Sequence, residues 1–217
     1  MDGLHLTSVP LVPEVRLFLA EDPTIFWARL EADAGRKLPA PYWASAWSGG
    51  QALARYVLDH PHVVADRRVL DLATGSGIVA IAAALAGARS VTANDTDPQA
   101  LAAAAANADA NGVHVEGLLA DLLESARPGL DEYSVVLAGD VLYSDPMAER
   151  FLRFLEAAAG AGARVLLGDP GRGRQPDHPW VTMSTYPVSD SRTGEDAQMT
   201  TTNVLSLPSG SRLTARE

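Results

Sequence analysis

Cysteine is absent from the 217 residues, which removes disulfides, thiolate nucleophiles, iron–sulfur clusters and the usual structural zinc sites in one step. Long apolar runs are absent as well. None nears the ~20 residues of a membrane-spanning helix, so no membrane association is expected. The first residues, "MDGLHLTSVPLVPEVRLFLAEDP", lack a basic leader followed by an apolar core, and their acids and prolines argue against a signal or transit peptide. A cytoplasmic protein is the expectation. Basic residues are scarce: 17 Lys and Arg stand against 27 Asp and Glu, a formal net charge of -10. A surface of that sign repels an extended polyanion, which sets nucleic acid aside as a partner. Histidine is scarce too, and only "HPH" at His60 to His62 resembles a metal clip. It follows a helical pattern in a polar turn, where a solvated turn outweighs a ligand pair, so no metal is expected.

What remains is a chain 47% hydrophobic and 20% charged, enough for one compact domain with a substantial core. Residues 1–60 read as helical pieces broken by prolines, "EVRLFLAEDP", "TIFWARLEADAG", "PAPYWASAW" and "GGQALARYVLDHP", forming an N-terminal helical cap on the same domain. Residues 61–217 carry the body. From Arg68, short apolar runs alternate with helical segments: "RVLDLA", a helix to Ala86, "SVTAND", a helix over "DPQALAAAAANADANG", "VHVEGLLA", "YSVVLAGD", a helix from Asp145 to Ala159, and "ARVLLGD". That repetition predicts a parallel sheet with right-handed crossovers and helices on both faces. Two β-branched runs after the loop "DPGRGRQPDHPW" predict antiparallel strands closing the sheet.

The stretch "VLDLATGSGIVAIAAALAG" reads as a buried strand, a small-residue turn and a helix, the arrangement that lets a backbone approach a ligand at a helix N-terminus. Gly75, Gly77 and Ala80 fit the dinucleotide pattern G-x-G-x-x-A, with Asp95 at a suitable offset for a ribose hydroxyl, so a nicotinamide-dependent oxidoreductase is one reading. The acids favour another. Asp71, inside the strand, suits a water-mediated ammonium partner and would repel a pyrophosphate. Asp95 offers two acceptors to a ribose diol, and Asp121 in "LLADLLE" can accept from an adenine amino group. Three acids at three successive strand ends suit S-adenosylmethionine.

At this point the chain resembles the class I, seven-strand, S-adenosylmethionine-dependent methyltransferases, from about Arg68 to Asp169. The resemblance implies a Rossmann-like, mostly parallel seven-stranded sheet, with Asn94, Thr96 and Leu122 joining Asp71, Gly75, Gly77, Asp95 and Asp121 at the cofactor. One departure is Ala73, which stands where the family's first glycine is commonest. After the fourth strand, "GDVLY" puts Asp140 and Tyr143 at the reactive end of the sheet. It lacks the prolines of nucleic-acid amino methyltransferases and looks like the D/E-x-x-Y/F motif of seven-strand protein-lysine methyltransferases. "PYWASAWSGGQALARYVLDHP", "ANDTDP", "GDVLYSD" and "LLGDPGR" together resemble the electron-transfer-flavoprotein β-subunit lysine methyltransferase family.

That resemblance implies a protein-lysine N-methyltransferase acting on that β subunit, or alternatively on another protein such as a ribosomal protein, or on a small amine. It makes S-adenosylhomocysteine the product, Asp140 and Tyr143 catalytic, Trp47 a wall of the cofactor pocket, and Trp43, Asp169 and Arg172 substrate-binding. A monomer is the expectation. The segment "GRQPDHPW" departs from the family in being too short for a full helix before the next strand. Other readings stay open beside these: Asp140 as cap of the helix near Asp145, Tyr143, Trp43 and Trp47 as core aromatics, and Arg172 and Arg174 as a solvated loop. A non-catalytic module of the same fold is a third class.

Overall fold

The most apolar short runs of the chain form the middle of a sheet. In the computed structural model, which describes residues 3–124, 130–172, 180–189 and 199–207, strand β3 (Arg68–Leu72) lies between β4 (Ser90–Asp95) and β6 (Val135–Gly139). β5 (Glu116–Leu119) continues the parallel set beyond β4, and β7 (Arg164–Asp169) continues it beyond β6. The antiparallel strands β9 (Met199–Leu207) and β8 (Val181–Ser189) complete the order β5-β4-β3-β6-β7-β9-β8. This is the expected mostly parallel seven-stranded sheet.

Period-two alternation divides the central strands between two cores. Val69, Leu137 and Leu166 join one cluster with Leu53 and Val57 of α2 (Ser48–Asp59) and Ile81 of α3 (Ile78–Leu85). Leu70, Val136 and Leu167, one residue out of phase, join the other with Phe151 and Leu155 of α5 (Asp145–Gly160). Both faces are therefore covered, which is why these strands are almost wholly apolar. Helix α4 (Pro98–Ala110) begins where Asp97 accepts the Gln99 N–H at 2.8 Å, and Asn111 closes it. These bounds fall inside the stretch "DPQALAAAAANADANG" expected as helix.

The N-terminal segment departs from the helical expectation. β1 (Leu4–Val9) and β2 (Val12–Ala20) form an antiparallel hairpin, and only then does α1 (Pro23–Ala34) begin, capped by Asp22. Two physical reasons decide it. Val15 and Leu17 have no exposure while Glu14 and Arg16, alternating with them, face solvent, a period of two rather than 3.6. The backbone of β2 is also held by asparagines of α4: Asn107 Oδ1 accepts the Phe18 N–H at 2.7 Å, and Asn111 bonds both the N–H and the carbonyl of Arg16. The rest of the cap is helical, with α1, a 3-10 turn at Tyr42–Ala44 and α2. Among the described residues no helix is long and apolar enough to cross a membrane.

Helix α2 meets the sheet backbone to backbone. A methyl group on Gly49 would lie 2.6 Å from Asp140 Oδ2, with the Gly168 carbonyl closer still, and one on Gly139 would lie 2.8 Å from Gly50 Cα. Only glycines allow that approach, so "SGG" seats the start of α2 on the ends of β6 and β7.

Candidate active site

The carboxyl ends of β3, β4, β6 and β7 open onto a cavity of about 740 Å³, within the ~300–1,000 Å³ usual for small-molecule sites. Its wall includes the turn after β3 through Leu72, Ala73 and Gly75. Ala73 and Gly75 both have positive φ, +56° and +53°. The turn thus holds an alanine in the left-handed region, where a glycine carries no side-chain penalty.

Two expected cofactor residues lie behind this wall. Asp71 is 1% exposed, and its Oδ2 accepts the Thr74 hydroxyl at 2.5 Å and the Ala80 N–H at 3.1 Å. Burial, the dominant influence, pushes its carboxyl up to about 7. Through Oδ2, Asp71 serves the first turn of α3, whose free N–H groups need an acceptor, and braces the turn from inside. Gly77 also stands outside the cavity wall. A methyl group there would approach Ala104 Cβ to 2.9 Å, so this glycine permits the close crossing of α3 and α4.

Asp95 reaches across the mouth of the turn, its Oδ2 accepting the Gly75 N–H at 3.0 Å and its Oδ1 the Thr96 and Asp97 N–H groups. It lines the cavity beside Thr96, and Oδ2, with a single N–H on it, retains acceptor capacity for a hydroxyl. Asn94 lines it too, but its amide donates to the carbonyls of Leu118 and Ala120, fastening β5 to β4. Asp121 is flanked by the Leu123 N–H and by Arg150, whose Nη2 lies 3.0 Å from Oδ2. Leu122 is 8% exposed and packs in the second core while touching the cavity.

Asp140 closes the other end. It follows β6 with φ +57°, a conformation uncommon for a non-glycine and tolerated best by Asp and Asn. Its Oδ2 accepts the Gly50 N–H at 3.0 Å, so the carboxylate sits on the N-terminus of α2, ninety residues earlier in the chain. The carboxyl is pushed up to about 6, with burial raising it most, the Gly50 N–H and then the Arg172 guanidinium opposing, and Asp169 raising it further. The capping role considered for Asp140 thus belongs to α2 and not to the helix near Asp145, whose N-cap residue is Ser144.

The remaining predicted residues divide between cavity and core. Tyr143 is 59% exposed and faces Tyr42, with ring centroids 6.4 Å apart. Trp47 donates its Nε1–H to the Tyr42 carbonyl at 2.9 Å. Trp43 is buried, stacked edge-on against Phe26 at 5.8 Å, and only borders the cavity. Asp169, at the end of β7, is also buried at the cavity wall. Arg172, though exposed, reaches into the site: Nη2 donates to Ser48 Oγ at 2.8 Å, Nη1 lies 3.7 Å from Asp140 Oδ1, and the guanidinium stands 5.8 Å from the Trp47 ring. Arg174 and the segment "GRQPDHPW" fall largely outside the described residues.

Sequence reasoning passed over Tyr42, Arg150 and the Gly49–Gly50 pair. Tyr42 and the glycines stood inside quoted motifs, but only the fold shows that they meet Tyr143 and Asp140. The charge of the cavity is one-sided, with Asp95, Asp97, Asp121, Asp140 and Asp169 against Arg150 and Arg172. Such a lining favours a cationic guest. Among the described residues no group of three or more His, Cys, Asp or Glu side chains is placed to hold a metal ion.

Known proteins resemble this one over much of its length. A Danio rerio protein named electron transfer flavoprotein beta subunit lysine methyltransferase is 40% identical over 80% of this chain, which spans 66% of that protein. Its Xenopus laevis namesake is 37% identical over 93% of this chain and 82% of its own length. The chain belongs to that family. A family model described as ribosomal protein L11 methyltransferase (PrmA) matches residues 51–155 of this family member, the stretch from α2 to the middle of α5. Among solved structures, magnesium protoporphyrin IX methyltransferase from Synechocystis PCC 6803, determined with bound S-adenosylmethionine, matches with a TM-score of 0.51 and 19% identity over 73% of this chain and 78% of that one. The fold is that of the class I methyltransferases.

Proposed function

We propose that this protein transfers a methyl group from S-adenosylmethionine to a lysine amine on the β subunit of electron transfer flavoprotein. The observation that carries the chemistry is the largely buried Asp140 carboxylate, fixed on the α2 N-terminus, in an acid-dominated cavity that an exposed Tyr143 also lines. The substrate comes from the names of the family relatives.

The cavity suits the cofactor. Asp95 is positioned for a ribose diol, the Ala73–Gly75 turn for a close backbone approach, and the acidic lining for an ammonium and a sulfonium. When bound, S-adenosylmethionine supplies an electrophilic methyl group. The chain's own residues must then present a neutral amine in line with it. A free lysine of pKa ~10.4 is almost wholly protonated at neutral pH, and baring its lone pair costs roughly 4 to 5 kcal/mol. Asp140, with a carboxyl near 6, is about 4 pH units too acidic to take that proton efficiently. Its role is electrostatic: ionised at neutral pH, it orients the amine and stabilises the positive charge that grows on nitrogen. Tyr143 walls the amine's path. In this reading Thr96, Leu122 and Trp47 wall the cofactor and Arg172 borders the substrate, all four residues belonging to the cavity lining.

Tritiated cofactor incubated with purified electron transfer flavoprotein, and separately with ribosomal protein L11, tests the reading. The L11 arm answers to the family match over residues 51–155. Label on a β-subunit lysine, mapped by mass spectrometry and lost on lysine-to-arginine replacement, is expected. Labelling of L11 or of a small amine with none on the flavoprotein overturns the substrate and leaves methyl transfer intact.

A further inference from the structure

Ten large hydrophobic side chains are substantially exposed among the described residues, and three of them converge at the cavity mouth from two segments: Tyr42 at 60% and Trp47 at 37% from one, and Tyr143 at 59% from the other. Their placement is built rather than incidental. Tyr42 opens a 3-10 turn whose next two residues, Trp43 and Ala44, are buried, and the Trp47 indole N–H holds the Tyr42 carbonyl at 2.9 Å. The Tyr42 ring stands 5.9 Å from Trp47 and 6.4 Å from Tyr143, bridging the two. An anchored backbone that leaves its aromatic ring in solvent has forgone burial worth ~1.5–3 kcal/mol for such a side chain. A ring face kept free at a ligand cavity is available for contact with the ligand.

The molecule's own cation indicates what that ligand carries. The Arg172 guanidinium sits 5.8 Å from the Trp47 ring while its Nη1 lies 3.7 Å from Asp140 Oδ1, a positive group between an aromatic face and a largely buried carboxylate. Ring faces attract cations through their quadrupole and do so without a fixed donor geometry. Five acids line the cavity against two arginines, which adds the long-range attraction.

We infer that Tyr42, Trp47 and Tyr143 form an aromatic collar through which the cationic side chain of the substrate passes to Asp140, and that Tyr42 is a specificity-determining residue of the reaction. The inference rests on the lysine-transfer reading above. Tyr42 lies more than ninety residues from the D-x-x-Y motif in sequence and contributes the ring that completes the collar. Its contribution is the ring face, so phenylalanine substitutes for it and leucine does not.

Choline and its uncharged carbon isostere, in which a tert-butyl group replaces the trimethylammonium, have the same shape and differ in charge. Titrating each into the protein saturated with S-adenosylhomocysteine, followed by NMR, gives the preference for the cation. The parent is expected to favour choline. Tyr42→Leu should reduce that preference about 2- to 5-fold, the contribution of one ring face at an exposed site, and Tyr42→Phe should retain it. Calorimetry of S-adenosylmethionine against S-adenosylhomocysteine, a sulfonium against a neutral thioether, should give the same ratio in parent and Tyr42→Leu. Two outcomes overturn the collar: an unchanged choline preference in Tyr42→Leu, or a loss confined to the sulfonium, which would make Tyr42 part of the cofactor site. Neither measurement uses the flavoprotein. Failure to methylate it would therefore remove the substrate assignment without touching the collar, and the reverse also holds.

Discussion

Replacing Asp140 by asparagine should make the protein more stable and the enzyme far slower. The side chains have the same shape, and asparagine adopts φ near +57° as readily as aspartate does. Its amide oxygen can accept the Gly50 N–H that Asp140 Oδ2 now accepts at 3.0 Å, so the cap on α2 survives. What disappears is a buried charge. The Asp140 carboxyl rises from 3.8 to about 6 on folding, chiefly through burial, so the folded state binds its proton more tightly than the unfolded chain does. The linkage has one sign: stability from this group is greatest below pH 3.8, falls as pH rises toward 6, and is level above. The full difference corresponds to at most about 3 kcal/mol. Asp140→Asn lacks this penalty, so its advantage over the parent should grow between pH 4 and 6 and stay constant to pH 8. Asp71, which titrates in an overlapping range, is common to both proteins and cancels in the comparison. Urea denaturation across that pH range measures the stability difference, and single-turnover methyl transfer measures the rate, which should fall about 10²- to 10³-fold as for the loss of one electrostatic stabiliser. Cofactor affinity by calorimetry should change little. An asparagine variant less stable than the parent at pH 8, or one transferring methyl within a few-fold of it, would refute the reasoning.

Ala73→Gly relieves a left-handed alanine and should stabilise the fold by up to about 1 kcal/mol, after the greater unfolded-state freedom of glycine is subtracted; thermal unfolding checks this, and a drop in Tm would show that the turn is unstrained. Gly168→Ala drives a methyl group into the Gly49 backbone, 2.7 Å from its carbonyl carbon, and should destabilise by about 2 to 3 kcal/mol while displacing the Gly50 N–H from Asp140. Normal stability and activity in that variant would mean that α2 does not seat there. Asp95→Ala removes both the proposed diol partner and the acceptor for the Gly75 N–H, so calorimetry should show cofactor binding weakened by about 2 to 3 kcal/mol, and unchanged affinity would remove Asp95 from the cofactor site.

The alternation of apolar runs with helical segments from Arg68 onward determined the parallel sheet by itself, because the central strands are buried on both faces, and α4 carries its own start and stop in Asp97, Pro98 and Asn111. The same local chemistry put the acids and the D-x-x-Y motif at strand ends, where a doubly wound sheet opens. Tertiary contacts decided the rest. "VRLFLA" is short and apolar enough to read as helix, and it becomes a strand because Asn107 and Asn111, some ninety residues away, bond its backbone. Asp71 looks like a ligand group in sequence, and only the fold shows its Oδ2 held by Thr74 and the first turn of α3. Asp140 owes its environment to Gly50, and the aromatic rim owes its shape to Tyr143 meeting Tyr42 and Trp47 from about a hundred residues away. Periodicity and caps act within a few residues and are written in the chain. Which side chains meet across a cavity depends on how whole elements pack, and only the folded molecule holds that information.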